Sequence, residues 1–274
     1  MINLDLIELA DLSRPVEIAT GIIKQNPGIQ VPIPLEEIAF SAGIREINKR
    51  PLDGLEGALV ANPEKSEGII LIKEDSRPQR QRFTLGHELG HFLIPRHGHQ
   101  MSCGLSDLTT RDKKALSSAQ RMELEANQFS AELLMPRLLV RQYPGFRGEP
   151  SIECLISMAA DFSVSFEACA QRYVALHDDP VAIVFAHETV VRYSTKSEGF
   201  PFWIQPGKGS TVPVKSHSTR INTVISGSSD AARWLDSSRY FELPEEVIEE
   251  VYTMENGYTA IFLYFDEELE ELEG

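Results

Sequence analysis

The 274-residue chain is long enough for one large domain or two modest ones, each able to bury a core. Its 42% hydrophobic and 24% charged content is ordinary for a globular protein and excludes collagen-like, mucin-like and disordered chains. The net charge of -15 is unevenly spread: twelve Asp or Glu and no Lys or Arg fall between Tyr240 and Gly274, which leaves the first 239 residues near balance.

In chain order, the apolar pattern from Leu4 to Ile23 predicts helix and stops at the turn residues Asn26, Pro27 and Gly28. Pro34 followed by Leu35, Ile38 and Ala39 predicts a second, short helix that ends near Gly43. Gly57–Ala61 and Gly68–Lys73 are short runs rich in branched residues and read as neighbouring strands. A helix from about Arg82 to Ile94 follows, stopped by Pro95, and then a polar loop from His97 to about Thr110. Another helix is expected from Ser117 or Ser118 through Leu134, broken at Met135 and Pro136, with two shorter ones over 151–177. Beyond His177-Asp-Asp-Pro180 the runs Val181–Phe185, Val190–Tyr193, Phe202–Ile204 and Tyr258–Tyr264 are strand-like. The acidic end, Asp266–Glu273, reads as a solvated helical or frayed tail. The expected fold is α+β: a mainly helical core, residues 1–177, with a small sheet before the helix at 82–94 and a helical extension at 151–177, followed by a smaller mixed α/β domain, residues 178–274.

No apolar run approaches the roughly 20 residues a membrane helix needs, and the start Met1-Ile-Asn-Leu-Asp5 does not look like an export signal. Three cysteines, Cys103, Cys154 and Cys169, are odd in number and form no CxxC pair, so free thiols and a reducing, cytoplasmic setting are expected.

The helix at 82–94 carries His87-Glu88-Leu89-Gly90-His91. Residues i and i+4 lie one turn apart on one face, so the two imidazoles can chelate one metal ion, and Glu88 stands where a general base would meet a water. Gly86 and Gly90 cost helix stability, about 1 kcal/mol each relative to alanine, which points to close approach by another helix. A hydrolytic site needs a third ligand from elsewhere, and the helix containing Glu123-Leu-Glu-Ala-Asn-Gln-Phe-Ser-Ala-Glu132 offers two carboxylates. Glu123 and Glu125 point about 200° apart at 100° per residue, so only one can face the metal. Glu123 is preferred because its face carries small and polar residues, with Asn127 placed to orient a ligand, and Glu125 is the alternative. His97 and His99 read as solvated loop histidines, Cys103 as a reduced surface or half-buried thiol rather than a fourth ligand that would block catalysis, and Arg77, Arg80 and Arg82 as a solvated helix start. His187 and His217 read as structural. The helices at 151–177 carry only Arg172 among Lys and Arg, too little for phosphate contacts, so direct nucleic-acid binding is not expected.

Together, Arg82-Phe-Thr-Leu-Gly-His-Glu-Leu-Gly-His91 and Glu123-Leu-Glu-Ala-Asn-Gln-Phe-Ser-Ala-Glu-Leu-Leu-Met-Pro136 resemble the ImmA/IrrE family of zinc metallopeptidases, over most of residues 1 to about 175. The resemblance implies a thermolysin-like core, one zinc per chain on His87, His91 and Glu123, and Glu88 as the catalytic base. Manganese or iron would also suit the ligand set. It further implies cleavage of a helix-turn-helix repressor, with release of mobile-element or stress-response genes. The chain departs from the family at Ser130, where alanine is commoner, and the resemblance does not extend to its C-terminal part. A non-proteolytic regulator that senses metal or ligand and binds a transcription factor is the alternative. The oligomeric state is not legible.

Overall fold

The computed structural model describes residues 2–104, 117–213, 220–236, 238, 240–266 and 269. The fold is α+β. The chain divides into two compact units, Met1–Leu139 with Ala159–Ser165, and Val140–Met158 with Phe166–Gly274. The sequence boundary near 178 thus falls inside the second unit. His217 and most of the acidic tail lie outside the described residues.

The first unit opens with α1 (Leu6–Ala10) and α2 (Pro15–Gln25). Asp5 caps α1 by accepting the amides of Ile7 and Glu8, and Pro15 begins α2, where a missing N–H costs nothing. Ile18, Ala19, Ile22 and Ile23 form the buried stripe of α2. After α3 (Leu35–Ala42), Gly43 turns the chain at φ +114°, and a Cβ there would sit 2.5 Å from the Ser66 carbonyl oxygen. Glycine is the residue that tolerates both.

A four-stranded sheet follows, in the order β1-β3-β2-β4: β1 (Ile44–Arg50), β2 (Gly57–Ala61), β3 (Gly68–Lys73) and β4 (Gln100–Cys103). β1 runs parallel to β3, while β2 is antiparallel to both β3 and β4. β2 and β3 have the bounds expected from the sequence. β1 and β4 were not expected, and β4 occupies the stretch read as polar loop.

Across β2 and β3 lies α4 (Pro78–Leu93), which starts one turn earlier than expected because Pro78 can open a helix. Arg82, expected to be solvated, is half-buried and donates to the Ile33 carbonyl at 2.9 Å. At the other end the Lys65 ammonium donates to the carbonyls of His91 and Ile94 at 2.8 and 2.7 Å, satisfying acceptors that the last turn leaves open. Helix α5 (Ser118–Leu134) packs against α4 and begins with a capping box in which Ser117 and Gln120 exchange side-chain-to-amide bonds.

Helices α6 (Arg137–Arg141) and α7 (Ile152–Asp161) cross the division between the units. In the second unit α8 (Phe166–Leu176) contacts β5 (Ala182–His187) and β6 (Val190–Lys196). Its Gln171 donates to the Tyr193 hydroxyl, which donates to Glu167. β7 (Trp203–Ile204) pairs with β9 (Leu235–Asp236), and β8 (Val224–Asp230), β10 (Glu246–Thr253) and β11 (Tyr258–Tyr264) complete an antiparallel sheet of order β6-β5-β11-β10-β8. Its core gathers Val184, Phe200, Phe202, Trp234, Val251 and Ile261. β8 and β10 were hidden by polar composition. In β10 the adjacent Glu249 and Glu250 are both buried: Glu249 accepts from Trp234 Nε1 at 2.7 Å, and Glu250 from the Ile152 amide at 2.6 Å. Neighbouring strand residues face opposite sides, so each carboxylate needs and finds its own donor.

Candidate metal centre

Helix α4 is buried along its whole site segment, Thr84 to Phe92, and the exposures of His87, Glu88 and His91 are all 0%. Two glycines let α5 approach it closely. A Cβ on Gly86 would stand 2.6 Å from Ser130 Oγ, and one on Gly90 would stand 3.0 Å from Phe129 Cδ1 and 3.3 Å from Ala126 Cα. The close helix contact anticipated from these glycines is therefore present. Ser130, the departure from the family pattern, donates its hydroxyl to the Phe83 carbonyl at 2.9 Å. On the sheet side Gly57 makes room for Glu88: a Cβ there would be 2.6 Å from Glu88 Oε1.

This packing brings the expected site residues together. Glu123 Oε2 lies 3.1 Å from His87 Nε2 and 3.5 Å from His91 Nε2, and the two Nε2 atoms are 3.0 Å apart. Asn127 Oδ1 accepts from His87 Nδ1 at 2.9 Å, which fixes the tautomer with the Nε2 lone pair turned inward. Burial opposes ionisation of Glu123, but the two imidazoles outweigh it and hold its carboxyl far below the usual carboxylate range.

Glu125, the alternative ligand, points away from this cluster. It is paired with Arg96 and accepts from His97 Nε2 at 2.9 Å. His97 in turn meets His91 Nδ1 through its own Nδ1 at 2.9 Å. A neutral His97 that donates to Glu125 from Nε2 must accept through Nδ1, so the proton sits on His91 Nδ1 and the His91 Nε2 lone pair is left free. Burial pushes the His97 pKa down to about 4, which keeps it neutral and able to accept. The expectation of a solvated loop histidine is corrected for His97, which is buried and held between His91 and Glu125. His99 is exposed.

Cys103 requires the larger correction. It is 0% exposed, and its Sγ lies 3.3 Å from His87 Nε2 and 3.6 Å from His91 Nε2. Pairing of β4 with β2, where Cys103 stands opposite Gly57, carries it into the site. Among the described residues His87, His91, Cys103 and Glu123 form a metal-capable group, each offering one ligand atom, all within 4.8 Å of one another. A tetrahedral zinc with N and O ligands at about 2.0–2.1 Å and S at about 2.3 Å has ligand-to-ligand edges of about 3.3–3.6 Å. The separations of 3.3, 3.5 and 3.6 Å fall in that range and those of 3.0 and 3.1 Å just below it, so the cluster is close to the size that such an ion needs.

Glu88 stands beside this group without belonging to it. Both of its oxygens are buried with no hydrogen bond of ordinary geometry among the described residues. Burial raises its carboxyl well above the usual range, an effect that the Cys103 thiol moderates and the Glu123 charge reinforces. A buried carboxyl with unused oxygens, facing a set of metal donors, suits a site built to hold an ion and a reacting molecule.

Residues 44–173 match the family model of the IrrE N-terminal-like domain. The radiation response metalloprotease IrrE of Deinococcus radiodurans is 31% identical over 153 residues, which cover 54% of this chain and 42% of that protein. The chain therefore spans about two-fifths of the curated relative that it matches. A Mycobacterium tuberculosis transcriptional regulator has a similar fold, with a TM-score of 0.51 at 12% identity over 94% of this chain and 88% of that one. On the first two of these matches, the segment 44–173 belongs to the ImmA/IrrE family.

Proposed function

We propose that this chain is a zinc-dependent endopeptidase in which His87, His91 and Glu123 hold the metal and Glu88 is the catalytic base. The observation that carries the reading is the unpartnered, buried Glu88 carboxylate beside three convergent ligand atoms on α4 and α5. When bound, zinc would supply a Lewis acid that polarises a peptide carbonyl and lowers the pKa of water. Glu88 takes the proton from the attacking water and later delivers it to the leaving amine. A carboxyl whose burial raises its pKa is matched to that double duty. Asn127 orients His87, and the His97 and Glu125 pair orients His91, so both rings are held before any ligand arrives.

The substrate we propose is a helix-turn-helix repressor. Support comes from the family and from the Deinococcus relative, whose name joins a metalloprotease to a radiation response.

Elemental analysis of the purified chain tests the site: about one zinc per chain is expected, lost in His87→Ala and in His91→Ala. Full retention in both variants would remove the metal centre. Incubation of the loaded protein with helix-turn-helix repressors of the same genome, followed by mass spectrometry, tests the substrate class. The expected products are two fragments whose masses sum to the repressor plus one water.

A further inference from the structure

The position of β4 adds a regulatory side to the proposed metal centre, and this role rests on the zinc reading of His87, His91 and Glu123. A catalytic zinc keeps three protein ligands and an open position, whereas a zinc with four protein ligands is closed. Here a fourth donor is already in place. Cys103 Sγ stands at 3.3 and 3.6 Å from the two imidazole Nε2 atoms, close to the sulfur-to-nitrogen edge of a tetrahedral zinc, about 3.6 Å.

We infer that Cys103 is a displaceable fourth ligand that closes the metal centre and keeps the enzyme latent, and that β4 must withdraw for a peptide to enter. Two observations support this beyond the cysteine itself. The sulfur belongs to a buried group of four ligand atoms that lie within 4.8 Å of one another, and the buried Glu88 carboxyl, with no hydrogen bond of ordinary geometry on either oxygen, lies against Gly57, the residue opposite Cys103. In addition, the four ligands are not equally fixed. His87, His91 and Glu123 stand on two helices locked by Gly86 and Gly90, whereas Cys103 ends a four-residue edge strand that pairs only with β2 among the described residues. The thiolate is the ligand that can leave at the least structural cost.

The chemistry defines what opens the site. A thiol-directed electrophile such as iodoacetamide would form a carbon–sulfur bond to Cys103 with loss of iodide. The resulting thioether is a much weaker ligand than the thiolate, and the fourth position is freed.

The test uses the full chain reconstituted with cobalt(II), whose thiolate complexes show a near-ultraviolet charge-transfer band that histidine and carboxylate ligands do not produce. Wild type is expected to show the band with about one cobalt per chain. Cys103→Ser and Cys103→Ala are expected to bind cobalt without it and to cleave peptide at least tenfold faster than wild type when loaded with zinc. Stoichiometric cobalt with no such band in wild type would overturn Cys103 as a ligand while leaving the three-ligand reading intact. A band present in wild type, with no gain in cleavage by either variant, would overturn the latency. Absence of cobalt binding in all three proteins would defeat the metal reading itself, and a band that persists in both variants would assign the sulfur to another cysteine.

Discussion

Glu123 and Glu125 are two residues apart, yet their surroundings give them opposite work. Glu123 faces two imidazoles from inside the protein, and Glu125 reaches His97 and Arg96 at its rim. Glu123→Gln should therefore abolish tight metal binding, because one of the ligands loses its charge. Glu125→Gln should not, because an amide oxygen can still accept from His97. His97→Ala, which removes the group that fixes the His91 ring, should weaken metal affinity about 10–100-fold. Titration with a competing chelator measures all three, and an unchanged affinity in Glu123→Gln would show that the third ligand lies elsewhere. The placement of His87, His91 and Glu123 was legible in the sequence because helical periodicity relates residues within one element. Cys103 and His97 were not, since both reach the site through a loop and a four-residue edge strand whose pairing with β2 is a non-local event.

At the scale of elements, the site depends on how closely α4 and α5 approach. Gly86→Ala would push a methyl group to 2.6 Å from Ser130 Oγ. Overpacking of this kind costs about 1–3 kcal/mol, which should outweigh the roughly 1 kcal/mol that alanine gains in helix propensity. In a Ser130→Ala background the nearest neighbour becomes the Cβ at 3.3 Å, so the same substitution should cost clearly less. Urea unfolding of the four proteins measures this, and equal costs in both backgrounds would mean that the two helices are not in contact at this point. Long apolar patterns made α2, α4 and α5 readable in advance, and β2 and β3 had the branched residues of a buried sheet. β1, with five polar residues in Ile44-Arg-Glu-Ile-Asn-Lys-Arg50, is an edge strand that buries little and shows no clean alternation. β10 carries two buried glutamates whose partners, Trp234 and the Ile152 amide, are distant in sequence, so its acidity concealed its position in the sheet.

For the whole molecule, no helix of the described residues is long and apolar enough to cross a membrane, and the α+β organisation was readable from the change of pattern near residue 178. The placement of 140–158 and 166–176 with the C-terminal sheet was not, because it depends on contacts such as Gln171 with Tyr193 that no local pattern encodes. A metal that binds only the folded chain should stabilise it by about 4 kcal/mol at a thousandfold excess over its dissociation constant. Chelation should lower the melting temperature accordingly. That stabilisation should fade with acid, because protons compete for the histidines. Burial lowers the pKa of His91 below its ordinary value, so the loss should begin on the acid side of neutrality. A melting temperature indifferent to chelator at pH 7 would contradict a metal bound within the core. The claim on which the rest depends is that Glu88 performs the chemistry at a metal held by other residues. Glu88→Gln keeps the shape of the side chain and removes its basicity. Repressor cleavage by the zinc-loaded variant, followed by mass spectrometry beside its zinc content, should fall by about two or more orders of magnitude with the metal retained. Cleavage equal to that of the parent would contradict the account.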